Sequence, residues 1–251
     1  AQAGDGILGL HVITLSEFVR KVAEESFLQD ERRLLAPLLA PFVMRKLLSD
    51  EGTAHYFAAL ASQPGFLRNL LTTVQELKHA GISAHELLTF LHRAQLTEAN
   101  RQKLAALTSL YARYESFLIE SRLYDEEDLF ERAALLLAEE NETAPLFLYG
   151  FSDVTALQRR VIAAAVKVRD TLVFFPWREG AAYEAATPSL GWMTGLGFQQ
   201  IRLHTVPPTN SQLQRLHTQL FESVSFWGEE SQPQMDQSVM LLSAANASQE
   251  V

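Results

Sequence analysis

Residues 146–158 contain the side chains whose types and spacing come nearest to a catalytic pattern. The apolar run Leu-Phe-Leu-Tyr predicts a buried strand that ends at Gly150, and a polar turn then leads into a helix rich in Ala, Leu and Val. An acidic pair at the end of such a strand would hold Mg²⁺ and activate water. Tyr149 and Gly150 end this strand instead, and neither side chain is a metal ligand or a general base of that kind. Asp153 and Gln158 are the polar side chains that remain.

A metal site is not predicted elsewhere in the sequence. Asp125–Asp128 is four consecutive acids, which could hold a cation or could be the charged first turn of a helix. The second interpretation is favoured because no Gly or Asn ligands follow at the spacing of a calcium loop. The seven histidines do not form a His-Glu-x-x-His pattern, and the chain has no cysteine for a disulfide, a thiolate site or an iron–sulfur cluster.

Composition is that of a folded protein with no membrane role. The 251 residues are 47% hydrophobic and 20% charged, and no apolar stretch approaches the ~20 residues that cross a bilayer. The net charge of −9 works against non-specific binding to nucleic acid, which depends on Lys and Arg. Any contact with DNA is therefore expected through a local basic stripe or beside a partner. The lack of cysteine is compatible with a reducing cytoplasm, and the start at Ala1 without Met suggests a piece of a longer protein.

The first half of the chain is dominated by helical signals. His11–Thr14 predicts a short strand, after which Thr14 and Glu17 have the spacing of a capping box at a helix start. From about residue 29 to residue 140 the apolar spacing is that of helices, with breaks at Gly81 and around Ser83. Further helices are predicted over 97–121 and from 126 onward, with Asp125 as the N-cap of the last.

After residue 141 the pattern alternates between strand and helix. Strands are predicted at 146–150, 171–175 and 199–204, and helices at 154–168, 190–196 and 211–224, followed by a polar linker at 228–238. Strand–helix–strand units of this length imply a parallel sheet. The predicted architecture is therefore α/β. A discontinuous domain, 1–25 with 142–227, is interrupted by an all-helical insertion at 26–141, and 228–251 forms a linker and the start of another domain.

Four segments in this order resemble the helicase-like B subunit of AddAB/RexAB-type bacterial helicase–nucleases, relatives of UvrD-type superfamily I helicases. Residues 12–18 resemble the strand-to-helix motif that contacts single-stranded DNA. Residues 123–129 are similar to the return from the helical insert, and residues 148–158 resemble the Mg²⁺-binding motif. Residues 243–251 resemble the start of the second motor domain. The resemblance implies a RecA-like, P-loop NTPase-type sheet around the insert.

The departures from that family concern ATP hydrolysis. The phosphate-loop pattern Gly-x-x-x-x-Gly-Lys-Ser/Thr is absent from the sequence, and Tyr149-Gly150-Phe151 replaces the acidic pair. The strand ending at Trp177 also lacks the Gly-Asp that senses the γ-phosphate in active helicases. A degenerate ATPase motif remains, formed by Tyr149, Gly150, Phe151, Asp153 and Gln158. The fragment is expected to hold no cofactor itself, although the full-length family implies ATP with Mg²⁺ and an iron–sulfur cluster in a later nuclease domain.

Candidate DNA-binding residues lie at the first helix: Thr14, Phe18, Arg20 and Lys21. Phe18 could offer a stacking face to a base, but an amphipathic helix also explains it as a core residue. Asp153 could report the nucleotide state, but a turn before a helix also explains it as an N-cap, which capping preference favours.

Three functions are compatible with these features. The first is a non-hydrolysing scaffold of a helicase–nuclease that repairs DNA double-strand breaks by recombination, bound to single- or double-stranded DNA and to a partner helicase–nuclease subunit. The second is a trimmed piece of an active ATP-dependent helicase, against which Tyr149-Gly150 argues. The third is a helical protein-interaction module without a DNA role. The parent complex would be an ATP-dependent helicase/exodeoxyribonuclease, and the fragment itself is expected to be inactive.

Overall fold

A computed structural model of the chain describes residues 9–49, 54–139, 144–177 and 180–203. The helices are α1 (Leu15–Gln29), α2 (Ala40–Ser49), α3 (Ala54–Phe57), α4 (Pro64–His79), α5 (Ala84–Arg93), α6 (Glu98–Glu120), α7 (Glu126–Glu139), α8 (Ala156–Val168) and α9 (Thr187–Gly195). The strands are β1 (Arg33–Leu34), β2 (Leu123–Tyr124), β3 (Leu146–Tyr149) and β4 (Thr171–Phe174), and two 3₁₀ turns span Ala58–Leu60 and Ala181–Ala186.

The chain divides into two compact units. The first comprises Ala1–Phe147 and Val154–Leu172, and the second comprises Leu148–Asp153 and Val173–Val251. Within the described residues, no helix has the length and apolar character needed to span a membrane.

α1 begins where the sequence places it. The Thr14 hydroxyl accepts a hydrogen bond from the Glu17 N–H at 3.2 Å, and the Glu17 carboxylate accepts one from the Thr14 N–H at 2.8 Å. This capping box satisfies backbone donors that the first turn leaves free. The strand predicted at 11–14 is wrong, because these residues pair with no other described strand and Thr14 instead takes the extended conformation of an N-cap.

Helices α2 to α6 surround the first apolar cluster of the first unit. Their inward faces repeat at three- and four-residue spacing, so each helix buries one stripe. The fully or nearly fully buried members with the largest side chains are Met44, Leu48, Leu67, Leu110, Tyr111, Tyr114 and Leu118. The Tyr111 hydroxyl donates a hydrogen bond to the Ile82 carbonyl at 3.0 Å, so this polar group is paired within the cluster.

The turn between α4 and α5 requires a glycine. Gly81 has φ +68°, a left-handed conformation that side chains disfavour, and its N–H bonds to the Lys78 carbonyl at 2.8 Å. A Cβ at Gly81 would also lie 2.8 Å from the Arg160 guanidinium of α8. The break predicted at Gly81 is therefore confirmed, as is the capping box of Ser83 and Glu86 that follows it.

A pair of two-residue strands lies within the segment predicted to be all-helical. β1 and β2 run parallel, with Arg33 opposite Leu123 and Leu34 opposite Tyr124. The prediction of a purely helical segment at 26–141 is wrong at this point, because two-residue strands have no periodicity that a sequence could reveal. The pair joins the chain just before the α2–α6 block to the chain just after it.

α1, α7 and α8 form the second apolar cluster, together with Tyr124 of β2. Its members are Val19, Ala23, Phe27, Tyr124, Leu129, Phe130, Ala133, Leu137, Leu157, Val161, Ala164 and Ala165. The Phe27 and Tyr124 rings stack at 4.1 Å between centroids. α7 thus packs with α1 and α8, so the two clusters divide near Leu123–Asp125 rather than at residue 141. The domain boundaries given above stay a prediction.

β3, α8 and β4 follow in the predicted strand–helix–strand order. β3 pairs with β4 in a second small parallel sheet, and the Leu146 N–H donates to the Asp170 carbonyl at 2.8 Å. The described part of the chain contains these two two-stranded sheets; a larger RecA-like sheet stays a prediction.

In the second unit, α9 follows the 3₁₀ turn at Ala181–Ala186, close to the helix predicted at 190–196. The strand predicted at 199–204 is wrong over 199–203, which has no strand partner among the described residues. His204, the helix predicted at 211–224, the linker at 228–238 and the segment at 243–251 lie outside the described residues.

Candidate functional site

The end of β3 presents no acid. Tyr149 has 84% of its side chain exposed, and its ring lies 6.3 Å from the Phe174 ring of β4. Gly150 has φ +84°, and a Cβ there would meet no atom within 4 Å. Phe151 is half-buried, and Asp153 is exposed. The open space at Gly150 shows that backbone conformation, rather than crowding, favours glycine at this position.

Gln158 caps the start of α8 together with Thr155. Its side-chain oxygen accepts from the Thr155 N–H at 3.0 Å, and its own N–H donates to the Thr155 hydroxyl at 3.3 Å. Thr155 is therefore the N-cap of α8, and the prediction that Asp153 caps this helix is wrong. Thr-x-x-Gln is itself a capping-box pattern and could have been recognised in the sequence. These bonds account for Gln158 without a nucleotide.

The candidate DNA-binding residues divide between packing and solvent. Thr14 is occupied by its capping box, and Phe18 is half-buried against the second apolar cluster, with the Arg169 guanidinium 5.5 Å from its ring. Arg20 and Lys21 are exposed on α1. The interpretation of Phe18 as a core residue has direct support in this packing, whereas Arg20 and Lys21 are accessible to a phosphate backbone.

The strongest concentration of buried charge lies between α4 and the start of α7. The Lys78 ammonium contacts both Asp125 carboxylate oxygens at 2.6 Å and an Asp128 oxygen at 2.8 Å. Lys78 is 6% exposed and Asp125 is similarly buried. Asp125 and Asp128 also accept each other's backbone N–H at 3.0 and 3.1 Å, which caps α7. We refer to Lys78, Asp125 and Asp128 as the Lys78 seam.

The seam keeps its lysine charged. Burial alone would lower the pKa of Lys78, but the negative charges and hydrogen bonds of Asp125 and Asp128 outweigh burial and raise it to about 12. Burial and the charge of Asp125 raise the pKa of Asp128, since two carboxylates share one ammonium. Arg32 adds a second cation, 3.8 Å from Asp128, and donates to the Leu123 carbonyl.

Glu127 lies beside the seam and is almost completely buried. One of its oxygens is 3.0 Å from His79 Nε2, and the other has no hydrogen-bond partner among the described residues. Burial, with the charge of Asp125, raises the pKa of Glu127 to about 7. A buried carboxyl with this pKa changes its charge near neutral pH.

This arrangement explains the acids at 125–128 without a metal. Asp125 and Asp128 direct their oxygens at Lys78 and at the first turn of α7, and no group of three or more His, Cys, Asp or Glu in the described residues could hold a metal ion. Asp125 was predicted as an N-cap and is confirmed as one. Its partner Lys78 was missed, because it lies 47 residues earlier and no local pattern connects the two.

Comparison with known proteins gives two findings. The family model described as "ADDB, N-terminal" matches residues 1–183, which is more than half of the chain. The B subunit of an ATP-dependent helicase/deoxyribonuclease from Levilactobacillus brevis is 24% identical over 151 residues. That match takes in 56% of this chain and 12% of the relative, so the chain spans a small part of the relative's length.

Proposed function

Because the chain belongs to the AddB N-terminal family, we propose that it is the helicase-like scaffold of a DNA-repair helicase–nuclease subunit and that it does not hydrolyse ATP. In this proposal a RecA-like layer and the helical segment guide DNA and hold a partner helicase–nuclease subunit. The protein would act on broken DNA in the cytoplasm. The relative's name describes one subunit of a helicase/deoxyribonuclease, which supports the existence of a partner.

The single observation that carries the proposal is the end of β3. Tyr149 and Gly150 stand where the resemblance implies an acidic pair, and neither a phenol nor a hydrogen can hold Mg²⁺ as a carboxylate does. Gln158 is engaged in capping α8. The residues present therefore do not fit a Mg²⁺–ATP site, and we derive no hydrolytic step through one.

An assay of ATP hydrolysis tests the proposal that the protein does not hydrolyse ATP. The full-length subunit, purified without its partner, is expected to release no phosphate from ATP, with or without single-stranded DNA. A DNA-stimulated rate that disappears in Asp153→Ala would overturn the proposal and favour the active-helicase alternative.

A protein-interaction module without a DNA role is the second candidate, and the net charge of −9 favours it. Binding of single-stranded DNA as a function of salt separates the two. A DNA scaffold is expected to bind at low salt and to weaken as salt rises. No affinity at low salt, even with the partner subunit bound, would contradict the scaffold and leave the interaction module.

A further inference from the structure

The outward side of α2 combines exposed apolar groups with cations. Leu38 and Leu39, in the turn before α2, are 85% and 54% exposed, and Phe42 on α2 is 62% exposed. Arg45 and Lys46 follow on α2, and both are exposed. We refer to these five residues as the α2 outer face. Clustered large apolar side chains on a surface usually mark a binding site, because exposing apolar area to water is unfavourable.

Helix geometry places these residues together. The inward positions Val43, Leu47 and Leu48 are buried in the first apolar cluster, so the positions between them face outward. The Phe42 N–H donates to the Leu39 carbonyl at 3.0 Å, which brings Leu39 into the first turn. The Arg45 guanidinium lies 6.0 Å from the centroid of the Phe42 ring, one turn further on.

The α2 outer face itself carries positive charge. Residues 38–49 contain Arg45 and Lys46 and no acidic side chain, and Asp50 and Glu51 follow them in the sequence. Neither Arg45 nor Lys46 forms an ion pair with any residue that the structure describes. The Lys46 ammonium lies 5.3 Å from the centroid of the Phe117 ring of α6.

We propose that the α2 outer face binds single-stranded DNA. Phe42 stacks on an unpaired base, Leu38 and Leu39 cover the apolar edge of that base or its neighbour, and Arg45 and Lys46 contact the flanking phosphates. The proposal rests on the proposed function, in which this chain guides DNA, and adds a place where it does so.

The chemistry of the surface favours DNA over a protein partner. An apolar protein surface that covered Phe42 would also remove Arg45 and Lys46 from water, which is costly when the covering surface has no acids to pair with them. Phosphates supply that negative charge at each nucleotide. A single strand is favoured over a duplex, because only an unpaired base offers its face to an aromatic ring.

Binding of a fluorescent oligothymidylate to the full-length chain tests this site. Phe42→Ala is expected to weaken binding on the order of tenfold, the effect of losing one stacked base. Phe42→Trp is expected to restore it. Arg45→Gln with Lys46→Gln is expected to reduce the slope of log affinity against log salt by about 0.7 for each phosphate that is no longer neutralised. All three replaced positions are on the surface, so folding is expected to persist, and circular dichroism checks it.

The matched control is Phe90→Ala with Lys103→Gln. Both side chains are exposed, on α5 and α6, and lie outside the α2 outer face; their loss is expected to leave affinity and salt slope unchanged. If both α2 variants bind DNA with the affinity and salt slope of the wild type, the α2 outer face is not the site, although the proposed DNA role stands. No wild-type binding at all overturns both. Loss of partner-subunit binding with unchanged DNA affinity identifies the surface as a protein interface instead.

Discussion

Two stretches of this chain resemble helicase-family motifs, and their acidic positions differ in the structure. In residues 123–129 the acids are retained and two of them, Asp125 and Asp128, are bonded to the buried Lys78. In residues 148–158 the acidic pair is absent, and the end of β3 carries an exposed Tyr149 and an unhindered Gly150. The first stretch keeps its charge, whereas the second has no carboxylate at the end of its strand.

The difference shows that the acids at the start of α7 serve packing, whereas the end of β3 carries no carboxylate at all. Charges in the Lys78 seam join α4 of the first apolar cluster to α7 of the second, at the place where the chain leaves the α2–α6 block. Removing one of them would leave a buried charge without its partner. At the end of β3, Tyr149 is exposed and a Cβ at Gly150 would meet no atom within 4 Å, so no packing among the described residues depends on a carboxylate there.

Lys78→Ala is expected to produce the largest loss of stability. Asp125 and Asp128 would lose the cation that neutralises them, at a cost of about 3–5 kcal/mol in the free energy of unfolding. Urea denaturation of the full-length chain measures this. Lys103→Ala, at an exposed lysine of α6, is the control and should change the free energy by less than about 0.5 kcal/mol. Equal effects of the two variants would show that the seam contributes nothing special.

Glu127→Gln is expected to flatten the dependence of stability on pH. The folded chain holds a proton on Glu127 up to about pH 7, whereas the unfolded chain releases it near the ordinary value of 4.5. Folding is therefore stabilised by this group at the lower pH and loses that contribution as pH rises from 4.5 to 7, by about 1.4 kcal/mol per pH unit at most. The charges of Asp125, Lys78 and Glu126 also act on this carboxyl, and His79 lies 3.0 Å from one of its oxygens.

Denaturation at about pH 5, 6, 7 and 8 follows this change. The wild-type curve should fall between about pH 5 and 7 more steeply than that of Glu127→Gln, and the two should run parallel above about pH 8. His79→Gln, which replaces the imidazole that contacts Glu127, shows how much of the difference depends on that contact. Identical slopes in wild type and Glu127→Gln would contradict the raised pKa of Glu127.

Gly150→Ala is expected to destabilise by about 1–2 kcal/mol, although the space around it is empty. The cost arises from φ +84°, which an L side chain disfavours. Gly65→Ala near the start of α4, where space is also open and φ is not positive, should be neutral or stabilising. Thermal unfolding of both variants separates conformation from crowding. A neutral Gly150→Ala would leave the glycine without a structural reason.

Thr155→Ala is expected to cost about 1 kcal/mol, because it removes the N-cap of α8. Asp153→Ala, two residues earlier and exposed, should change the free energy of unfolding by less than about 0.5 kcal/mol. Chemical denaturation compares the two directly. A larger loss of stability in Asp153→Ala than in Thr155→Ala would contradict Thr155 as the N-cap and favour Asp153.

Local signals in the sequence were sufficient for most of the helices. The pairs Thr14 with Glu17 and Ser83 with Glu86 marked two helix starts, and Gly81 marked a turn, because capping and turn chemistry act within a few residues. The strand predicted at 11–14 is wrong, since four extended residues form a strand only when another strand lies beside them.

Pairings between distant residues could not be predicted. Arg33 pairs with Leu123 and Lys78 with Asp125, and in each case the intervening chain has no pattern that sets the distance. The exposure of the α2 outer face could not be predicted from the sequence either. Its basic residues are visible in the sequence, but exposure of Phe42 is decided by which face of α2 the other helices cover.

What the sequence determined by itself is the helical character of the first half, the caps of α1, α5 and α7, and the lack of an acidic pair at Tyr149-Gly150, because these depend on residue type and short spacing alone. Tertiary structure alone decided that Asp125 and Asp128 neutralise a buried Lys78 and that the pKa of Glu127 is raised to about 7. The physical reason is burial: a charge acquires its partner and its pKa only when folding removes it from water.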